Sequence, residues 1–560
     1  MSKESFNFLD LLKEKKYSEI LSIIENKMDK EKLTSGLLNL SGVCRMLLSQ
    51  SDDSVKLAIE DFRGSYHKET EKNKLIDPIK NLINAKVIFF DNQFYKNENF
   101  VDSNFFDEID SIYKKNEELF NESFELTKQM VKIYKRTSNV KKFVNSLKKI
   151  IEVDPSENAV ASYVYFNNYL YDWSQSDYFE NAKKINHKLH KYPSNELLGL
   201  KEKKNKKINL GFISSDLKSK HSVTYFLRSL LTNYNKDKFE VYLYHNHNKK
   251  NDITKEFEKY VLKASHILDL KDKEAINLIR GDEIDIIIDL NGFSGDHRMT
   301  LFKNRLAKNQ ISWCGYTNTT GLEEMDYLIV DKNLIKPEEE IFYSEKIIYL
   351  QNIWNCHSGY DFERSENKMP CEKNKFITFG SFNNFLKIND EVIEVWSSIL
   401  KKVKYSKLIL KSSSAISQEL HKKKFDKYGI LDSIIFLNYS KDFQGHLDEY
   451  KEIDIALDTF PWNGVTTSFE AAWMNVPVIV MDGFNYNSRC GSSINKNLDL
   501  TNLIAKDKED YINIAVNLSQ NKDQLLNIRK ILFENVMNTP LFDKKNFSDQ
   551  FFASLEKINN

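Results

Sequence analysis

Two doubly wound α/β domains facing each other across a cleft, preceded by an all-α helical-repeat region, are what this sequence predicts. Three observations carry the prediction. Residues 1 to about 200 show almost no strand pattern, only apolar residues at helical spacing. From residue 207 onward, short apolar strands alternate with helical stretches. Near residue 375 the alternation restarts, so there are two such series of roughly 150–170 residues each.

The first region is read from "YSEILSIIENKM" (17–28), "LLNLSGVCRMLLSQ" (37–50), "SVKLAIEDFRGSY" (54–66), "PIKNLINAKVIFF" (78–90) and the long run 140–170. Short polar breaks separate these segments, which predicts paired antiparallel helices. Residues 37–66 echo a tetratricopeptide unit: a small residue where helices touch, then an Ala and an aromatic on the second helix. A degenerate helical repeat over 1–203 is the expectation, with a plain helical bundle as the alternative.

The basic run "KEKKNKK" (201–207) reads as a solvated linker. Beyond it, "KINLGFISSD", "FEVYLYHNH", "IDIIIDLNG", "NQISWCGY" and "MDYLIVD" are the strands of a domain placed at 204–370. "KFITFGSF", "SKLILKSS", "SIIFLNY", "IDIALDTF" and "PVIVMD" build a second domain at 371–560. Continuous apolar strands imply parallel sheets covered on both faces. The final stretch "FSDQFFASLEKI" (547–558) is expected to cross back onto the first domain.

Composition narrows the function classes. At 560 residues the chain exceeds one ordinary core. Lys plus Arg equals Asp plus Glu at 81 each, which argues against a dedicated nucleic-acid binder. The five cysteines are scattered without a CxxC, pointing to a reducing compartment and no zinc site. No signal-peptide core or apolar run of about 18 residues occurs, so a soluble, cytoplasmic protein without a membrane span is expected. There is no GxGxxG after a strand, no GxxxxGK[ST] and no HExxH. Neither a dinucleotide cofactor nor a metal is expected.

Ligands of doubly wound domains bind beyond the carboxyl ends of strands, so chemistry belongs in those loops. In "TFPWNGVTTSFEAAW", Gly464 permits a backbone shape closed to other residues, and Thr466 and Thr467 stand at a helix start. Exposed N–H groups there favour an anion, and the hydroxyls add donors. Glu470, one turn in, could accept bonds from ribose hydroxyls. The same residues also read as a threonine cap with a capping-box Glu. Spacing alone leaves the two readings even.

In "GSFNNFLKIND" (380–390), Lys387 is either a phosphate-binding cation or a surface lysine. What favours the former is that both loops open on one sheet edge, where a cation and a helix start would stabilise a leaving diphosphate. His221 in "SSDLKSKHS" is a candidate general base across the cleft, or a structural histidine. His446 in "FQGHLDEY" either bonds a nucleotide or is a solvated cap residue. Gly292 and Phe293 in "DLNGFSG" form a turn that admits a ligand to backbone or only ends the strand.

Six motifs stand in one order: "GFISSD…HSVTYFL", "DIIIDLNG", "GYTNTTGL…MDY", "ITFGSFNNFLKI", "ALDTFPWNGVTT" and "EAAWMNVPVIVM". In that order they resemble the protein O-GlcNAc transferase/SPINDLY family, over about 208–550. The resemblance implies a GT-B fold and an inverting, metal-independent transfer from a nucleotide sugar to Ser or Thr hydroxyls of proteins. It implies that Lys387 contacts the donor diphosphate, Thr466 and Thr467 bind phosphate, and Glu470 binds ribose where the animal enzymes carry Asp. It implies that His446 lies beside base and ribose, and that Asn384 lies near the diphosphate where the animal enzymes carry Gln. His221 matches a cleft histidine proposed as base, a role disputed within the family. The helical region would present the protein acceptor.

The sequence departs from the animal pattern in several places. The Asp216–His221 loop is one residue longer, Val465 replaces a histidine, and Thr317 replaces a proline. "NTTG" and "GSFNN" stand closer to the SPINDLY and bacterial branches. SPINDLY proteins of plants resemble this pattern yet use GDP-fucose, which makes GDP-fucose the second expectation for the donor, after UDP-GlcNAc. The rivals are a glycan or lipid-linked acceptor on the same fold, and a helical-repeat scaffold with a degenerate transferase half. With the resemblance added, the phosphate cradle becomes the favoured reading of "NGVTT".

Overall fold

The computed structural model describes residues 7–96, 104–171, 173–200, 207–218, 221–247, 252–362, 364, 368–412 and 415–559. The linker at 201–206 and the two residues preceding His221 lie outside these. The chain forms two compact units, Met1–Asp154 with Ser413–Lys422, and Pro155–Ser412 with Lys423–Asn560.

The first unit is helical, and its helices follow from apolar periodicity and caps. Ser51 caps the helix Asp52–Lys68, accepting from the Ser54 N–H at 3.4 Å, and Val55, Ala58, Ile59 and Phe62 bury one stripe. This stripe packs on the preceding helix, Ser35–Leu48. Gly42 makes the approach possible, since a Cβ there would lie 2.6 Å from the Phe62 ring. Gly42 and Phe62 thus meet in the contact between these two helices. Asn139 likewise caps Val140–Val153, whose Val140, Phe143, Val144, Leu147 and Ile150 are buried at three- and four-residue intervals.

The second unit holds two all-parallel sheets. The first has seven strands: β1 (Ile208–Ser214), β2 (Phe239–His245), β3 (Lys263–His266), β4 (Ile286–Asp289), β5 (Asn309–Ser312), β6 (Tyr327–Asp331) and β7 (Lys346–Leu350). Their spatial order is β3-β2-β1-β4-β5-β6-β7. The second has six: β8 (Thr378–Ser381), β9 (Lys407–Lys411), β10 (Ile434–Leu437), β11 (Ile455–Leu457), β12 (Val478–Met481) and β13 (Ile504–Ala505), in the order β10-β9-β8-β11-β12-β13. Every strand of β4, β5, β8, β11 and β12 is buried throughout, as helices on both faces require. The order reverses between β1 and β4 and between β8 and β11. Loops from those four strand ends must splay apart there, opening a crevice in each sheet.

The compact division falls at Asp154, earlier than the helical boundary expected at residue 203. The helices Glu157–Asn167 and Gln175–Asn186 associate with the sheets because their polar side chains reach into both lobes. Gln175 Nε2 donates to Asn318 Oδ1 at 2.8 Å, Asn318 Nδ2 to Asn168 Oδ1 at 2.8 Å, and Asn485 Nδ2 to Gln175 Oε1 at 3.0 Å. The lobes also meet directly. Arg489 Nη2 donates to Glu339 Oε1 at 2.7 Å, and Ser493 Oγ to Asp331 Oδ2 at 2.7 Å.

The C-terminal helix Lys544–Asn559 crosses back onto the first lobe as expected. Phe551 packs on Trp313 and Phe552 on Phe239, each with ring centroids 4.8 Å apart. Phe547, Phe551, Phe552 and Leu555 are buried, and each such side chain is worth about 1.5–3 kcal/mol over exposure. That is ample to hold a terminal helix in place.

Candidate functional site

The four switch-point loops, with the loop after β5, line a cavity of about 380 Å³. Its walls include Asp216, His221, Ser294 and Cys314 from the first lobe, and Asn384, Lys387, Trp462, Thr466 and Thr467 from the second.

The helix Thr466–Trp473 begins at this cavity. Its N-cap is Val465, with no side-chain cap bond, so the threonines are the first two helical residues and not the cap. The capping-box alternative fails for the same reason, since Glu470 bonds elsewhere. The first N–H groups of a helix lack intrahelical acceptors, and here they open on the cavity beside two half-buried hydroxyls. Thr467 Oγ1 lies 3.4 Å from Asn383 Oδ1.

Gly464 does not serve through backbone shape, because it has no positive φ. It serves through proximity: a Cβ would lie 2.4 Å from Thr467 Oγ1 and 3.0 Å from Asp458 Oδ1. Asp458, buried at the end of β11, organises this loop. Its Oδ1 accepts from Gly464 N–H at 2.7 Å, Thr459 N–H at 2.8 Å and Asn383 Nδ2 at 3.1 Å. Burial pushes its carboxyl up to about 6, against those bonds and the nearby Lys387.

Lys387 closes a short 3-10 turn capped by Asn384, whose Oδ1 accepts from the Leu386 N–H at 3.0 Å. Its ammonium donates to the Asn463 carbonyl at 2.7 Å and stands 5.3 Å from the centre of the Trp462 ring. Burial lowers it to about 8, with Asp458 and the Cys490 thiol opposing. It is therefore a partly desolvated cation in the cavity wall and not a surface lysine.

On the opposite wall His221 stands at the N-cap position of the helix Ser222–Leu231. Its Nε2 is 3.6 Å from Asp216 Oδ1. Burial lowers its pKa from the ordinary value, with Asp216 pulling it back up. Asp216 is held by Asn291 Nδ2 at 2.7 Å. A weakly basic imidazole beside a carboxylate is suited to taking a proton from a hydroxyl.

His446 and Glu470 lie deeper in the second lobe. His446 is no cap, since Asp442 caps its helix by accepting from the Gly445 N–H at 2.7 Å. Instead His446 Nε2 is 3.1 Å from Glu470 Oε2, and Tyr450 donates its hydroxyl to the same oxygen at 3.0 Å.

Gly292 and Phe293 lie behind the cavity wall. Gly292 has φ +55, and a Cβ there would lie 2.2 Å from Tyr316 Cβ. Phe293 is buried with its ring edge-on to Tyr316 at 5.7 Å. The two shape the turn that brings Ser294 and Gly295 to the cavity.

Sequence reasoning missed Tyr165, Asp216, Asn383, Asp458 and Trp462. Tyr165 reaches the cavity from the helix Glu157–Asn167 and packs on Trp462, with ring centroids 5.2 Å apart. Among the described residues, no group of three or more His, Cys, Asp or Glu is placed to hold a metal ion. No described helix is long and apolar enough to cross a membrane.

One wall of the cavity thus gathers Lys387, the helix start and Asn383. Comparison with known proteins agrees on the lineage. The profile described as glycosyl transferase family 41 matches residues 179–359 and 363–551. A Solanum lycopersicum protein named "Probable UDP-N-acetylglucosamine--peptide N-acetylglucosaminyltransferase SPINDLY" is 29% identical over 71% of this chain and 44% of its own length. An Arabidopsis thaliana protein of the same description, SEC, is 29% identical over 62% of this chain and 37% of its own. The chain thus spans less than half the length of these curated relatives. A solved mutant of the Thermobaculum terrenum O-GlcNAc transferase has the same fold, with a TM-score of 0.72 over 97% of each chain at 21% identity. That fold is GT-B. Since the match takes in both sheets and all four switch-point loops, the chain belongs to glycosyl transferase family 41.

Proposed function

We propose that this chain transfers a sugar from a nucleotide sugar to Ser or Thr hydroxyls of proteins, with inversion at the anomeric carbon. UDP-GlcNAc is the first choice of donor and GDP-fucose the second. One observation carries the reading: the Lys387 ammonium and the uncapped start of Thr466–Trp473 share one cavity wall, facing His221 and Asp216. The names of the curated relatives, which specify a UDP-GlcNAc donor and a peptide acceptor, support it.

The acceptor oxygen bonds to the anomeric carbon from the face opposite the nucleotide. The bond from that carbon to the diphosphate oxygen breaks, and its electron pair leaves on the diphosphate. Lys387 exchanges the Asn463 carbonyl for the departing oxygens, and the helix N–H groups, with Thr466 and Thr467, take the rest of the charge. Asn384 lies at the edge of this diphosphate site. The acceptor proton passes to His221 or to a donor phosphate oxygen. Glu470 accepts ribose hydroxyls and His446 lies beside the base. With Lys387 and the helix start supplying positive charge, the reaction needs no metal, and activity persists in EDTA.

The test is a thermal-shift screen of UDP- and GDP-sugars on the purified chain, followed by label transfer from the stabilising donor to protein acceptors. Stabilisation by one donor, and transfer that Lys387→Ala abolishes without unfolding, is the expected result. Stabilisation by none would favour the scaffold alternative. Transfer to glycan or lipid alone would overturn the protein acceptor.

A further inference from the structure

Lys411 is a buried lysine that neither the transfer chemistry nor the sheet requires. It ends β9, is 4% exposed, and has three acceptors within reach. Its Nζ donates to Ser440 Oγ at 2.7 Å, to His446 Nδ1 at 2.8 Å, and to the Glu449 carboxylate. Ser440 in turn donates to Glu449 Oε1 at 2.7 Å.

An ammonium has three N–H donors and no lone pair. Every bond it makes to a ring nitrogen therefore leaves that nitrogen as the acceptor. His446 Nδ1 accepts from Lys411, so the ring proton is on Nε2. There it points at Glu470 Oε2, 3.1 Å away. Tyr450 donates to the same oxygen at 3.0 Å. Both donors converge on Oε2, which fixes the rotation of the carboxylate and leaves Oε1 as its second acceptor. The row Glu449–Lys411–His446–Glu470 thus joins two carboxylates through one ammonium and one imidazole. Within the row, Glu449 and His446 are about a fifth to a quarter exposed at the side chain (25% and 22%), while Lys411 and Glu470 are buried.

We propose that Lys411 is a positioning residue of the nucleotide pocket: it holds His446 in the Nε2–H form, and through it aims Glu470 Oε1 at the ligand. The proposal rests on the reading of this pocket as the nucleoside subsite of the transferase. Without Lys411, His446 Nδ1 loses its donor and two carboxylates are left without the cation between them, beside a site meant for an anionic ligand. With Glu449 neutralised instead, the His446 bond persists and the local charge becomes more positive. The two changes therefore move nucleotide affinity in opposite senses.

The experiment uses the full chain with UDP and GDP as probes. In selectively ¹⁵N-histidine-labelled wild type, His446 shows a proton on Nε2 and a hydrogen-bonded acceptor at Nδ1, assigned by comparison with His446→Gln. Lys411→Met removes that Nδ1 hydrogen-bond shift and weakens the bound nucleotide by about tenfold by calorimetry, the loss of one charge-assisted bond. Its effect on transfer falls on the donor KM, with kcat held within about twofold. Glu449→Gln binds the nucleotide as tightly as wild type or more tightly. A proton on Nδ1 in wild type overturns the proposal. So does unchanged affinity in folded Lys411→Met, or, should that variant not fold, weaker binding in Glu449→Gln. If wild type binds neither UDP nor GDP, the transferase reading fails as well, a result distinct from binding that is indifferent to Lys411.

Discussion

Lys387 sets an alkaline limit on the proposed transfer. Only its charged form can stabilise a departing diphosphate, and burial lowers it from the ordinary 10.5 to about 8. A protonated group with that pKa is about nine-tenths charged near pH 7 and about one-tenth charged near pH 9. The sign is unambiguous: activity is fully present below about 8 and is lost as pH rises through it. The expected kcat/KM for the donor falls about tenfold between about pH 7 and pH 9, whereas a solvated lysine would lose only a few per cent. The assay is the initial rate at donor concentrations well below KM, in a mixed buffer of constant ionic strength. Lys387→Arg serves as the control, because a guanidinium stays charged over the whole range. It should be slower and should show no limb near 8. A wild-type profile flat to about pH 10 would refute the reasoning, as would a limb that survives in the arginine variant.

Three further outcomes are expected. Asp458→Asn removes the carboxylate that pulls Lys387 upward, so the alkaline limb moves below about 8 by up to a unit in the same pH–rate assay. The asparagine carbonyl still accepts from Gly464 and Thr459, so the melting temperature stays within a few degrees. Gly464→Ala places a Cβ 2.4 Å from Thr467 Oγ1 and forces the cradle open, weakening UDP or GDP by at least about tenfold in calorimetry while far-UV circular dichroism is unchanged. Arg489→Ala strips the largely buried Glu339 of its buried partner and lowers stability by about 2–3 kcal/mol, read as a lower urea midpoint.

The architecture was legible because strands buried on both faces stand out: β4, β11 and β12 read as near-continuous apolar runs. β3, β7 and β13 escaped for the opposite reason. β3 and β7 are sheet edges with few buried residues, and β13 is two residues long. In the site, Lys387 and Thr466–Thr467 could be read because they follow strand ends among small polar residues. Tyr165 could not, since its helix reads as ordinary packing until the fold sets that helix against Trp462. Asp458 and Lys411 share a different concealment. Each is a charge at the carboxyl end of a strand with an apolar centre, which reads as the strand's solvated end. An ionisable residue at the carboxyl end of a strand with an apolar centre is the signal that would have found both. Gly464 was read for its conformation, but its necessity comes from neighbours close in space, which no local pattern encodes.

The amide ties from the helices Glu157–Asn167 and Gln175–Asn186 run to Asn318 in one lobe and to Asn485 in the other. Together with the Arg489–Glu339 pair, they act as a brace across the crevice. Such ties favour a preformed crevice over one that closes about a hinge. Binding is then governed by diffusion into a preformed slot, without a slow isomerisation before or after encounter. Stopped-flow binding traces should be single-exponential, with rates linear in nucleotide concentration and no plateau. In the proposed transfer the product nucleotide should likewise leave in one step, at a rate set by how tightly the Thr466–Thr467 loop and Lys387 hold its diphosphate.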